Sequence, residues 1–135
     1  MGTGRASGGP EPPLLVVDAA NVVGSVPDGW WRDRAAAAGR LRDALVTVAT
    51  EGLPGLAAPV EVVLVVEGEA SVITGVEGVR VVAAPASGDD TVVELVTRAG
   101  PGRRRAVVTA DRGLRERVRA VGAELISPRA VPRRL

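Results

Sequence analysis

A chain of 135 residues has the size of one ordinary domain and supports a single core. It has no cysteine and no histidine, and all 17 basic residues are arginine. Disulfides, thiolate zinc sites, Ser-His-Asp catalysis, Schiff-base lysines and phosphate loops ending in Gly-Lys-Ser/Thr are therefore excluded, which leaves carboxylates, hydroxyls and arginine, the donor set of a hard-cation site.

Met1 to Pro13 is Gly, Pro and Ser with little to bury, so residues 1–13 are expected to form a disordered tail. They contain no apolar signal region, and no later stretch approaches the roughly 20 apolar residues of a membrane span. A cytoplasmic protein without a membrane partner is expected. The fold begins at Leu14, and Leu14 to Val17 is a short continuous apolar run of the kind buried on both faces of a parallel sheet. Similar runs recur at Val60 to Val66, Val79 to Ala83, Ala106 to Thr109 and Ala123 to Ile126. Between the first two, Trp31, Ala35, Ala38, Leu41, Leu45 and Val48 recur every three or four residues, predicting a helix from Trp30 to about Thr50 that ends at Gly52. This register makes Trp31 a core residue and leaves Trp30 exposed. The connection from Gly68 to Gly78 has room for one helical turn or none. Further helices are predicted over Asp89 to Ala99, with Val92, Val93 and Val96 inward, and over Arg112 to Val121, with Leu114, Val118 and Val121 inward. The alternation of strands and helices predicts an α/β fold with a parallel sheet covered on both faces. Residues 14–128 form the domain in this reading, and residues 129–135 a basic tail.

Ligands of open parallel sheets bind beyond the carboxyl ends of the strands. There the sequence places Asp18 and Asn21, then Glu67, then Asp89 and Asp90, then Asp111. Converging carboxylates repel one another unless a cation joins them, and Mg²⁺ or Mn²⁺ bound to such a set serves in-line phosphoryl displacement without histidine. Each position also has a plainer explanation. Asp18 and Asn21 suit Asx turns, Asp111 suits a helix N-cap, Ser87 with Asp90 reads as a capping box, and Glu67 suits a polar loop. Charge is segregated as well: eleven arginines and three acids follow residue 97, against six arginines and thirteen acids before it. A basic C-terminal third suits a polyanionic partner, or equally a solvated Arg-rich helix.

Taken in order, VVDAANVVG, VVEG, SGDDTVVEL and VVTADRGLRERV resemble the PIN-like NYN domains, especially their YacP-like branch, over roughly Leu14 to Ser127. The resemblance implies a three-layer α/β/α sandwich with a five-stranded parallel sheet in order 3-2-1-4-5, which sets Asp18 and Asp111 on either side of the cleft. It also implies a metal-dependent ribonuclease, an endonuclease acting on RNA, with members linked to RNA processing or ribosome-associated mRNA cleavage; a homodimer is compatible with it. Asp18 matches the family's first-strand aspartate and Asn21 its asparagine, with Ala19 and Ala20 where the family has Gly and an aromatic. Glu67 stands where Asp is usual, Asp89 and Asp90 match an Ala-Asp-Asp element, and Thr109 with Asp111 match a Thr/Ser-x-Asp element. On this reading Asp18, Asp90 and Asp111 are catalytic and hold Mg²⁺ or Mn²⁺, with Glu67 and Asp89 as further metal ligands. Asn21 and Thr109 orient the carboxylates or the phosphate. Arg112, Arg115 and Arg119 share a helical face suited to RNA phosphates, and Trp30 is positioned to stack on a base. Arg103 to Arg105 precede the fourth strand, away from the cleft, which favours a structural role for them.

Two rival readings use the same residues: a non-catalytic RNA-binding or protein-interaction module, and a nucleotide pyrophosphohydrolase. A haloacid-dehalogenase-type phosphatase is disfavoured because its second Asp falls on Ala20, and a response-regulator receiver because it requires a lysine.

Overall fold

The computed structural model describes residues 11–26 and 28–132. Five strands, β1 (Leu14–Asp18), β2 (Glu61–Val66), β3 (Val79–Ala83), β4 (Arg105–Val108) and β5 (Glu124–Ile126), form one parallel sheet in the order β3-β2-β1-β4-β5. Four α-helices accompany them: α1 (Ala19–Gly24), α2 (Arg34–Glu51), α3 (Gly88–Ala99) and α4 (Arg112–Ala120). Among the described residues no helix is long and apolar enough to cross a membrane.

Side chains alternate across a strand, so the continuous apolar runs fill two core layers at once. Leu15, Val17, Leu64, Val66 and Val108 pack with Ala38, Leu41, Leu45 and Val48 of α2. Leu14, Val16, Val63, Val65 and Val107 pack with Val92 and Val96 of α3 and Leu114 and Val118 of α4. The order of strands reverses at β1, which pairs with β2 on one side and β4 on the other.

Several expectations are revised. The long helix begins at Arg34, not Trp30: Asp33 caps it by accepting from the Ala36 amide at 3.0 Å, and Trp30–Arg32 form a separate 3₁₀ turn. Breaking the helical register there leaves Trp31 53% exposed instead of buried, while Trp30 is only partly exposed. The six residues of α1 had no visible periodicity because they span less than two turns. The Gly68–Val72 connection does contain a 3₁₀ turn, with Ala70 buried.

Packing also runs past both expected domain limits. Val131 is buried among the α2-side residues, and the Pro13 and Pro12 carbonyls accept from the Glu61 amide and from Arg103. The rest of the expected tails, residues 1–10 and 133–135, lies outside the described residues.

β4 begins one residue early, on Arg105, which is 4% exposed. Its stem lies in the core, and its guanidinium donates to the Val96 and Val121 carbonyls, both at 2.8 Å. These are among the carbonyls that the ends of α3 and α4 leave without helical partners. Arg103 bonds Glu61 at 2.7 Å and Arg104 bonds Glu124 at 2.7 Å, so this trio ties the sheet's starting edge together.

Candidate active site

Strand parity places the site. Leu14, Val16, Val63, Val65 and Val107 face α3 and α4, and each strand's next residue of the same parity is polar: Asp18, Glu67 and Thr109. All three therefore emerge on one face at the carboxyl edge, where α3 presents its first turn with Gly88, Asp89 and Asp90.

Asp18 is 5% exposed. One oxygen accepts from the Asn21 amide at 3.4 Å, capping α1, and the other accepts from the Thr109 hydroxyl at 3.1 Å. The Thr109 oxygen in turn accepts from the Asp111 amide at 3.1 Å, and the Asn21 side-chain oxygen accepts from the Ala110 amide at 2.8 Å. The turns after β1 and β4 are thus laced together by two small polar side chains. Asp111 accepts from the Leu114 amide at 2.8 Å and caps α4. The capping roles of Asp18 and Asp111 are both realised, each bond occupying one lone pair of its carboxylate.

Glu67 reaches under α3 and accepts from the Gly88 amide at 2.9 Å, satisfying one of the helix's unpaired first-turn donors. A Cβ on Gly88 would collide with that Glu67 oxygen. Gly88 is a site residue that sequence reasoning missed; the signal was the lone glycine inside Ser-Gly-Asp-Asp. Gly88→Ala is expected to leave the melting temperature in a thermal unfolding scan nearly unchanged, because the flexible Glu67 tip gives way.

Electrostatically, Asp18 and Asp89 respond to the acids around them. Burial pushes the Asp18 carboxyl up to about 6, against the opposing bonds from Thr109 and Asn21, and the charges of Asp89 and Glu67 push it further the same way. Asp89 is also raised, by burial and then by Asp111 and Glu67, with Arg117 opposing. Asp90 stands apart: its carboxylate accepts from Arg117 at 2.9 Å and is largely exposed. Ser87 caps α3 through the Asp89 amide at 3.1 Å.

Among the described residues no three acidic side chains stand close enough to hold one ion as arranged. The donor set nevertheless fits Mg²⁺ or Mn²⁺. It is all oxygen, neighbouring charges raise the proton affinity of Asp18 and Asp89, and the Asp89 and Asp111 side chains are partly and fully exposed at the helix N-termini.

No protein-family model matches the chain, nor does any curated protein. Solved structures do match. Rae1 (YacP) from Bacillus subtilis superposes with a TM-score of 0.67 at 19% identity, over 87% of this chain and 70% of that one. A tryptophan-to-leucine mutant of the same protein gives 0.71 at 18%, over 87% and 71%. The chain has a YacP-like fold.

In this YacP-like fold the reversal at β1 sets Asp18 against the β4 turn, as the strand order 3-2-1-4-5 requires. Arg112, Arg115 and Arg119 line one shallow hollow with Ala110 and Glu116, beside the Asp111 turn. Trp30 lies on the other flank of the site, in a wall shared with Glu67 and Gly68.

Proposed function

We propose that this protein is a metal-dependent ribonuclease of the NYN type that hydrolyses RNA phosphodiester bonds endonucleolytically. The observation that carries the reading is Asp18: a carboxylate buried at the strand reversal, held by Thr109 and Asn21, and surrounded by further acids that make its ionisation costly. A fold without a use for that charge would be more stable with an amide there.

Asp18, Glu67, Asp89 and Asp111 would hold Mg²⁺ or Mn²⁺. When bound, such an ion supplies charge neutralisation and a hydroxide nucleophile near neutral pH, in a chain with no histidine to act as base. Thr109 and Asn21 fix the β1 and β4 turns against each other and so set the spacing of Asp18 and Asp111. Asp90, in this reading, acts by holding Arg117 over the first turn of α3. The hollow of Arg112, Arg115 and Arg119 would hold RNA phosphates on the α4 flank, where guanidinium forks match phosphate oxygens.

The test is incubation of the purified protein with labelled RNA, single-stranded DNA and nucleoside triphosphates in Mn²⁺, Mg²⁺ or EDTA, beside the Asp18→Asn and Asp111→Asn variants. Metal-dependent RNA cleavage lost in both variants supports the proposal. Triphosphate turnover would move the protein to the nucleotide hydrolases. The separation of the described acids favours a second reading, a non-catalytic RNA-binding module. RNA retention without turnover of any substrate would establish it.

A further inference from the structure

The chain has only two aromatic residues, Trp30 and Trp31, and its core is built without either. Both stand in the 3₁₀ turn after α1, with rings 6.1 Å apart in an edge-to-face arrangement. Arg34 lies over Trp30 at 5.4 Å and Arg32 over Trp31 at 5.8 Å. Aromatic surface is scarce in this protein and is concentrated at one rim.

Trp30 also forms a wall of a cavity of about 160 Å³, with Ala20, Val23, Ala38 and Ala70 as its apolar lining and with Arg34 and Glu67 as its charged lining residues. Whole-ligand pockets run to roughly 300–1,000 Å³, so this hollow suits one ring system and not an entire nucleotide. Alanines make the space: a larger side chain at position 20 would fill it. The cavity is mostly apolar, it has an indole on one side, and its polar edge is shared by Arg34 and by Glu67, whose charge also acts on Asp18 and Asp89.

We propose that this hollow is a base subsite: it takes one nucleobase of a single-stranded RNA whose adjacent phosphate lies at the carboxylate cluster, with the Trp30 ring stacking on the base. The inference rests on the ribonuclease reading for the identity of the strand, but its geometry is independent of whether cleavage occurs. The carboxylates set where the phosphate goes, the arginine hollow on α4 tracks the backbone beyond it, and the Trp30 side sets which nucleotide is seated. Because an indole stacks on any base, the preference comes from the size of the hollow.

The test uses the full chain in EDTA, so that binding is read without cleavage. Trp31→Phe leaves Trp30 as the sole tryptophan, and its fluorescence is titrated with a short single-stranded RNA, with the same RNA carrying an abasic nucleotide, and with a free nucleoside triphosphate. Expected results are quenching by the intact RNA and binding at least about fivefold weaker for the abasic strand when that nucleotide is the one seated, from the cost of losing one stacked base. Ala20→Leu, on an exposed position of α1, should abolish this difference while its melting temperature stays near that of the parent. Quenching by the triphosphate as strong as by RNA would keep the base subsite but assign it to free nucleotides. Equal affinity for intact and abasic strands at every position, or an Ala20→Leu protein that still distinguishes them, would overturn the proposal. Metal-dependent cleavage by the parent protein, measured separately, decides the nuclease reading whichever way the binding experiment falls.

Discussion

Asp18→Asn is expected to make the protein more stable and to abolish the proposed cleavage. The carboxyl rises from an ordinary 3.8 to about 6 on folding, chiefly through burial. A raised acid favours the folded state only while protonated. Its contribution is fully present below pH 3.8, is lost as pH rises through about 6, and leaves a cost of about 3 kcal/mol at neutral pH. Asparagine is isosteric and uncharged. Its side-chain oxygen still accepts from the Asn21 amide and its amide group donates to the Thr109 oxygen, at the cost of turning that hydroxyl. A net gain of about 2 kcal/mol is expected at pH 8 in EDTA, a rise of roughly 6 °C in melting temperature, shrinking to nothing near pH 4. On the proposed metal-dependent reading, adding Mn²⁺ should stabilise the parent more than the variant, which lacks one of the four proposed carboxylate ligands. RNA cleavage should fall by about 100-fold or more. A variant that is equally or less stable at pH 8, or one whose advantage is the same at pH 4, would show that Asp18 carries no ionisation cost.

The second large effect is structural. Arg105→Leu removes a side-chain donor from two helix-end carbonyls, Val96 and Val121, at a position that is 4% exposed. Hydrogen bonds to a charged group contribute about 1.5–3 kcal/mol each, and the bond to the Val96 carbonyl is buried. Relief from burying the guanidinium, whose Nε has no partner, offsets part of this. We expect a net loss of about 3 kcal/mol and roughly 10 °C in thermal unfolding, at any pH between 5 and 9. Arg104→Gln, one residue earlier on an exposed pair with Glu124, should barely move the transition. Comparable losses in the two variants would mean that the helix ends do not depend on Arg105.

The contrast between those neighbours shows what the sequence conceals. Three consecutive arginines read as a polar edge, and nothing in their composition distinguishes the one whose stem enters the core. Apolar runs were legible because a strand buried on both faces has no polar alternation to confuse, so all five strands fall within one residue of their expected starts. The start of the long helix was misread because alanine-rich periodicity extends backwards into Trp30–Trp31; the N-cap at Asp33 marks the true start, and without it Trp31 was placed in the core. At the site, the edge on which Asp18, Glu67, Asp89 and Asp111 gather follows from their places after the strands. Their relative roles do not, since Asp89 and Asp90 are adjacent in sequence and only the helix turn sends Asp90 to Arg117. Gly88 and the small hollow beside Trp30 depend on contacts between segments far apart in the chain, which no local pattern encodes.

The lacing of the β1 turn to the β4 turn has a consequence for how the protein is made. Thr109 and Asp18 are 91 residues apart, and β1 lies between β2, which follows it by about forty residues, and β4, which follows by about ninety. A growing chain can pair β1 with β2 long before β4 exists, but one side of β1 stays open until β4 emerges, and contacts of such long range are slow to form. Asp18 therefore lacks its Thr109 bond until then. Whatever the acids at this edge do, they acquire that ability only once β4 has joined the sheet.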